Sequence, residues 1–374
     1  MTSETQPTRK GEELDVEKLA EYLRIRLGSG SAFPEVRQFP AGSSNLTYLV
    51  RFGSDEYVLR RPPFGNTVKS AHDVGREFSV LSKLSAVYAP APKPLLFCDD
   101  ESIIGSEFYL MERRNGIIVR GSFAEARTSR GPREGIPTRG GKVRAIPALD
   151  ESNSFRLAVA SSFIKNLADL HSLDLKAAGL DDLGKPDGYN RRQVEGWTKR
   201  YFAAKTDEHP HLEKAIAWLN ENIPPEFGAS LIHNDYKFDN VMLDPDDLTK
   251  ITAVLDWEMV TVGDPLMDLG TTLGYWMGPD AGDEMLDMPF NPRVLMENIS
   301  RRELVDMYAE SLGRDLPDML FYYVFGTFKI AVICQQIYAR FVKGFTQDKR
   351  FAGFDKFVAA LGRIADGALT RRQI

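Results

Sequence analysis

The stretch LIHNDYKFDNVMLD, Leu231 to Asp244, sets His233, Asp235, Lys237 and Asn240 between two apolar, strand-like runs. A solvated polar loop would account for that composition. The spacing suits something sharper. His233-x-Asp235 is followed by Asn240, and Asp256 stands sixteen residues further on, at the end of the apolar run ITAVLDW. Transfer of a phosphoryl group from ATP needs such a set. One carboxylate orients the attacking hydroxyl and accepts its proton, and two oxygen-bearing side chains hold Mg2+ against the phosphates. Positioning and charge neutralisation supply most of the rest. Mg2+ takes carboxylate and amide oxygens in preference to imidazole or thiolate. Two short strands joined by a turn would bring Asn240 and Asp256 to one cleft.

The order matches the protein-kinase pattern H-R-D-x-x-x-x-N followed by a metal-binding Asp. Here Asn234 replaces the Arg, and Trp257 replaces the Phe that follows the Asp. LIHNDYKFDNVMLD, VLDWEMVTVGDPLMDLG, LADLHSLD and RRQVEGWTKRY resemble the aminoglycoside phosphotransferase/choline kinase-like family over residues 30–340. The last two, with YVLRRPP, resemble more narrowly the kinase-like domain fused to acyl-CoA dehydrogenases in some animal proteins, and its bacterial stand-alone relatives.

The resemblance implies an α+β, bilobal protein-kinase-like fold, with a small β-rich N-lobe and a larger, mainly helical C-lobe. It implies ATP and Mg2+ as cofactors. Asp235 would be the catalytic base, Asn240 and Asp256 the Mg2+ ligands, and His233 a brace for the loop. Lys237 stands where serine/threonine kinases have a lysine on the γ-phosphate; an exposed loop lysine is the alternative. Asp264 precedes Pro265 as a helix N-cap would, so Asp264 and Asp268 read as structural.

At the nucleotide end, Gly42, Ser43, Ser44 and Asn45 in AGSSNLTYLV form a candidate phosphate loop, since small residues let backbone amides approach phosphate. With one glycine it is also what an ordinary hairpin would show. The β3 lysine of protein kinases is replaced by Arg60, closing YVLR. Arginine still binds phosphate, with a different geometry. Glu77 in GREFSVLSKL is placed to pair with it, an exposed helix glutamate being the alternative. Met111, Glu112 and Arg113, closing the strand SEFYLME, would form a hinge whose backbone meets adenine.

These groups need a frame. DVEKLAEYLRIRL reads as an amphipathic helix on Val16, Leu19, Leu23 and Leu27. Thr47 to Phe52 and Tyr57 to Arg60 read as strands around a Gly53-Ser54-Asp55 turn. A helix over 71–84 and the strands PLLFC and SEFYLME follow. Residues 1–12 read as a disordered tail, 13–113 as the nucleotide-binding N-lobe and 114–374 as the C-lobe. Arg127 to Arg144 carries six basic residues, one acidic residue, four glycines and two prolines. It cannot build a core and reads as a mobile surface loop, either a solvated insertion or a basic flap over an anionic ligand. Beyond it, FRLAVASSFIKNLADLHSL places Ala160, Phe163, Ile164, Leu167 and Leu170 on one helical stripe.

The net charge of −6 argues against a dedicated nucleic-acid binder. Cys98 and Cys334 alone exclude a disulfide framework and fit a reducing cytoplasm. The polar start shows no signal peptide. Met319 to Val342 is apolar but interrupted by Lys329, Gln335, Gln336 and Arg340, which favours a buried helix over a membrane span.

The leading reading is an ATP- and Mg2+-dependent phosphotransferase acting on a hydroxyl of a small molecule. The narrower resemblance implies a hydroxyacyl compound or its CoA thioester. An aminoglycoside phosphotransferase is the rival, with Gly278 to Asp287 either its acidic wall or an exposed acidic loop. A nucleotide-binding pseudokinase is the non-enzyme alternative. The acceptor would bind at 187–220 and 270–300, where Trp197, Tyr201 and Trp276 read first as core. Oligomeric state has no signature in the sequence.

Overall fold

Alternating side chains organise the first sheet. In the computed structural model, β1 (Glu35–Gln38), β2 (Leu46–Phe52), β3 (Asp55–Arg61), β4 (Pro94–Cys98) and β5 (Phe108–Glu112) form an antiparallel sheet in the order β1-β2-β3-β5-β4. Residues 5–28, 33–39, 45–64, 73–119, 136–137, 143–144, 152–278, 281–282, 285 and 298–374 are described. Tyr48, Val50, Phe52, Leu59, Phe108 and Leu110 share one core with Leu19 and Leu23 of α1 (Val16–Leu27). Val58, Tyr109 and Met111, of opposite parity, join a second core with Val74, Val80, Leu81 and Leu84 of α2 (Val74–Leu84). Arg60 has the parity of Val58, so β3 presents it toward α2. Asp15 caps α1 by accepting from the Lys18 amide, and Gly28 ends it at φ 73°. A short helix, α3 (Glu101–Ile104), joins β4 to β5.

Residues 5–12 are ordered, contrary to the tail expected from composition. Gln6 and Gln38 exchange backbone bonds of 2.8 and 2.9 Å, and Arg37 Nε donates to Thr5 Oγ1 at 2.9 Å. The segment is held by backbone and polar side-chain bonds to the edge strand β1, which a hydropathy pattern does not register.

After β5 the chain passes through Gly116, where an added Cβ would lie 2.8 Å from the Met242 Cβ. Ile117 then pairs with Leu243 through two 2.8 Å bonds. Of the expected basic loop 127–144, a pair of two-residue strands is described, β6 (Ile136–Pro137) and β7 (Val143–Arg144); the rest lies outside the described residues.

Helices α4 (Asn153–His171), α5 (Tyr189–Ala204) and α6 (Pro210–Glu221) follow. Two small antiparallel ribbons come next. One pairs β8 (Ser230–Ile232) with β11 (Thr261–Gly263), and the other pairs β9 (Val241–Leu243) with β10 (Ile251–Val254). Then come α7 (Pro265–Tyr275), α8 (Arg301–Leu312), α9 (Leu320–Val342) and α10 (Phe354–Arg371).

Helix α9 is long and apolar enough to cross a membrane, but 83% of its apolar window is buried, against α7, α10, α5 and α6. A helix apolar on all sides suits such a central place. It meets α7 backbone to backbone. A Cβ on Gly326 would lie 2.0 Å from the Gly270 carbonyl oxygen, and one on Gly270 would lie 2.2 Å from that of Tyr322.

Candidate active site

The loop between β8 and β9 is built around Asp235. His233 donates from Nε2 to the Leu255 carbonyl (2.9 Å) and accepts the Asp235 amide at Nδ1 (3.2 Å). It therefore braces the loop, as expected, with both ring nitrogens engaged. Asn234 sits at φ 68°, a left-handed conformation that Asn tolerates better than most residues. Its amide donates to Asp268 Oδ1 at 2.8 Å, and the His233 amide donates to Asp268 Oδ2 at 2.7 Å. Asp264 caps α7 through the Leu266 amide and accepts from Asn190 Nδ2 at 2.9 Å. Both aspartates thus have the structural settings their spacing indicated.

The Asp235 carboxylate takes three donors. Lys237 Nζ (2.7 Å) and Asn240 Nδ2 (2.9 Å) reach Oδ2, and the Tyr275 hydroxyl (2.8 Å) reaches Oδ1. Burial pushes the carboxyl upward, but Lys237, His233 and Tyr275 outweigh it and hold it below the usual carboxylate range. Lys237 is half-buried, and Asp235 more than offsets the desolvation of its charge, so its ammonium lies above the ordinary value. The exposed-lysine alternative is therefore set aside: its side chain is 17% accessible.

Across the cleft, Arg60 joins α2 to the segment after β10. Its guanidinium lies 3.3 Å from Glu77 and 3.0 Å from Asp256, with Glu258 further out at 3.9 Å. Burial opposes its charge, and the Glu77 carboxylate, with Asp256 and Glu258, outweighs that, placing its pKa well above the ordinary value. Glu77, 1% exposed, also accepts the Trp257 amide at 3.2 Å. Asp256 has φ 67° and ψ 67°, a strained setting for a non-glycine residue that an ion pair on its carboxylate helps to hold. The Leu255 amide donates to the Asn240 carbonyl at 2.7 Å, so Asn240 and Asp256 sit at one end of the β9–β10 ribbon. Because Asn240 spends its amide nitrogen on Asp235, its side-chain oxygen is the atom suited to a cation. An amide oxygen and a carboxylate, with cations either side, fit a hard metal held jointly with phosphates.

Of the phosphate-loop residues, Asn45 is described and donates to Glu258 Oε2 at 3.2 Å; Gly42, Ser43 and Ser44 lie outside the described residues. Met111 is in β5 and 7% exposed. Glu112 pairs with Arg114 at 2.8 Å, and Arg113 pairs with Glu56. Met111 and Glu112 also pair through their backbones with β3 and β4, the Glu112 amide donating to the Lys93 carbonyl at 2.9 Å. Trp197, Tyr201 and Trp276 are 5%, 0% and 2% exposed, the core setting read first for them. Sequence reasoning missed Glu258, Tyr275 and Lys329. Lys329 Nζ donates to the Asn234 carbonyl at 2.7 Å, and burial pushes its ammonium down to about 8.

The profile of the phosphotransferase enzyme family matches residues 35–134 and 137–303, which include Arg60, Glu77, Asp235, Lys237, Asn240, Asp256 and Tyr275. The chain belongs to that family. The rat acyl-CoA dehydrogenase family member 11 is 36% identical over 340 residues, covering 88% of this chain and 40% of its own length. The chain spans 30–42% of the length of the curated relatives it matches. A Ralstonia eutropha crystal structure, provisionally assigned as an aminoglycoside phosphotransferase, is 28% identical with a TM-score of 0.74, covering 96% of this chain and 99% of its own. A thermostable aminoglycoside phosphotransferase in complex with ADP and hygromycin B shares the fold at 17% identity, with a TM-score of 0.55 and 95% and 98% of the two chains covered. This phosphotransferase therefore has the protein-kinase-like, bilobal α+β architecture.

Proposed function

We propose that this phosphotransferase moves the γ-phosphate of ATP, with Mg2+, to a hydroxyl of a small anionic molecule, a hydroxyacyl compound or its CoA thioester. The observation that carries the reading is the Asp235 carboxylate. It is held by Lys237, Asn240 and Tyr275, with Arg60 and Asp256 forming the opposite wall. In this reading Asp235 aligns the acceptor hydroxyl and takes its proton. Lys237 and Arg60 neutralise phosphate charge. Asn240 and Asp256 would hold Mg2+, which supplies further neutralisation at the phosphates when bound. Nucleotide complexes of fold relatives support ATP as donor.

Charge near the base favours an anionic acceptor. Lys237 is paired with Asp235 and Lys329 is buried on the Asn234 carbonyl, which leaves exposed Arg200, stacked 4.5 Å above the Trp197 ring, as the cation an acceptor would meet among the described residues. A polycation would meet that charge unfavourably. The pairing of relatives of this domain with acyl-CoA dehydrogenases points the same way. The aminoglycoside reading rests on the Ralstonia eutropha structure; its acidic wall at 278–287 lies largely outside the described residues. The free, buried Cys98 and Cys334 suit a reducing, cytoplasmic setting.

The test is an acceptor panel of 3- and 4-hydroxyacyl-CoAs, free hydroxy acids, choline, sugars and aminoglycosides with Mg·ATP, followed by ADP release. Turnover with the hydroxyacyl compounds is expected. Turnover confined to aminoglycosides overturns the acceptor class, and a chain that binds ATP but turns over nothing in the panel shifts the reading to a pseudokinase. Deleting residues 127–144 is expected to raise the KM of an anionic acceptor and leave that of Mg·ATP alone; an unchanged acceptor KM removes the loop from the site. Arg60→Lys is expected to lower kcat/KM for Mg·ATP about tenfold, because one ammonium cannot bridge Glu77 and Asp256 as the planar fork does. Initial rates at varied Mg·ATP check this, and unaltered rates would remove Arg60 from the nucleotide site.

A further inference from the structure

The glycine-packed helices α7 and α9 grip the Asp235 loop with four side chains. On α7, Asp268, Thr272 and Tyr275 fall at i, i+4 and i+7, on one face. Asp268 accepts from the amides of His233 and Asn234, Thr272 Oγ1 donates to the Tyr236 carbonyl at 3.0 Å, and Tyr275 donates to Asp235 Oδ1 at 2.8 Å. From α9, Lys329 donates to the Asn234 carbonyl at 2.7 Å. The left-handed residue before Asp235 is therefore bonded on its amide and on its carbonyl, by two different helices. Tyr275 and Lys329 are 5% and 2% exposed.

Resting on the reading of Asp235 as the base, we propose that Tyr275 and Lys329 are positioning residues for phosphoryl transfer. Tyr275 fixes the rotation of the Asp235 carboxylate, and Lys329 fixes the backbone from which that carboxylate projects. Occupancy carries the argument. Lys237 and Asn240 both bond Oδ2, which makes Oδ1 the oxygen for the acceptor hydroxyl. An ionised carboxylate oxygen has two lone-pair directions. Tyr275 takes one on Oδ1 and so aims the other. Loss of the phenol frees the carboxylate to turn about its last torsion, and small misplacements of a reacting group cost large factors in rate.

The test uses the full chain with Mg·ATP and two acceptors: a hydroxyacyl-CoA, and water through slow ATP hydrolysis. Tyr275→Phe removes one oxygen and keeps the ring. It is expected to lower kcat about 10- to 100-fold, the scale of a hydrogen bond to a charged group. The KM for Mg·ATP should stay within about threefold, with the melting transition unchanged. Lys329→Met is expected to give the same split, and it decides the matter if Tyr275→Phe does not fold. Full kcat in the folded variant overturns the proposal, as does a loss expressed only in the KM for Mg·ATP. Asp235→Asn, run alongside, separates the two layers. If it retains transfer and hydrolysis, the base assignment itself fails; if it is inactive while Tyr275→Phe is fully active, the positioning role alone fails.

Discussion

Asp235→Asn is expected to lower phosphoryl transfer by about 10²- to 10⁴-fold, the range typical of removing a positioned general base. The substitution is nearly isosteric, so the loop should keep its path. His233 still bonds the Leu255 carbonyl, and Asp268 still holds the amides of His233 and Asn234. What changes is the character of the side-chain atoms. The carboxylate accepts from Lys237, Asn240 and Tyr275 at once. An amide has one acceptor oxygen, and its NH2 would face one of those donors. The Lys237 ammonium would also lose the charge that holds it, in a setting 17% accessible. Nucleotide affinity is expected to change little, because Arg60, Glu77 and Asp256 lie on the other wall. Single-turnover transfer with bound Mg·ATP, beside calorimetric titration of Mg·ADP, checks both halves. A variant that binds nucleotide normally and transfers at full rate would sink the assignment.

Much of this site was legible because its chemistry is local in sequence. His233, Asp235, Lys237 and Asn240 lie within eight residues, so their spacing constrains their geometry directly. Arg60 and Glu77 were reachable because strand parity and the next helix limit where each can point, and the 3.3 Å pair bears this out. Tyr275 was not legible. It lies forty residues after Asp235, at the end of an apolar helix, where an aromatic residue reads as core. Lys329 did leave a signal: a cation in the middle of an apolar helix whose other cation, Arg340, stands in the last turn. That charge served only to argue against a membrane span, although a buried lysine needs a polar partner. Its partner, the Asn234 carbonyl, lies ninety-five residues away, a distance that no pattern of hydropathy encodes. The ordered segment 5–12 escaped for a similar reason, since its bonds to β1 join backbone and polar side chains 29 to 32 residues apart.

Gly326→Ala is expected to cost about 3 kcal/mol or more, at or beyond the upper end of the usual overpacking range. The added methyl would lie 2.0 Å from the Gly270 carbonyl oxygen, 2.5 Å from its carbon and 2.8 Å from the Thr271 Cα. None of these is the end of a flexible side chain that could swing aside. Helices α7 and α9 would have to separate, and both carry residues that hold the catalytic loop. Asp268, Thr272 and Tyr275 move with one helix and Lys329 with the other. Stability and turnover should therefore fall together, with kcat reduced in molecules that are still folded. Gly196→Ala, inside α5 with open space around the added carbon, provides the contrast. It is expected to stabilise by about 0.5–1 kcal/mol, the helical preference of alanine over glycine. Thermal melts and steady-state kinetics on both variants distinguish a general effect of alanine for glycine within a helix from the specific contact between α7 and α9. A Gly326→Ala chain that melts where the parent does would mean that α7 and α9 can slip apart at no cost, and the grip on the Asp235 loop would then have to come from the loop itself.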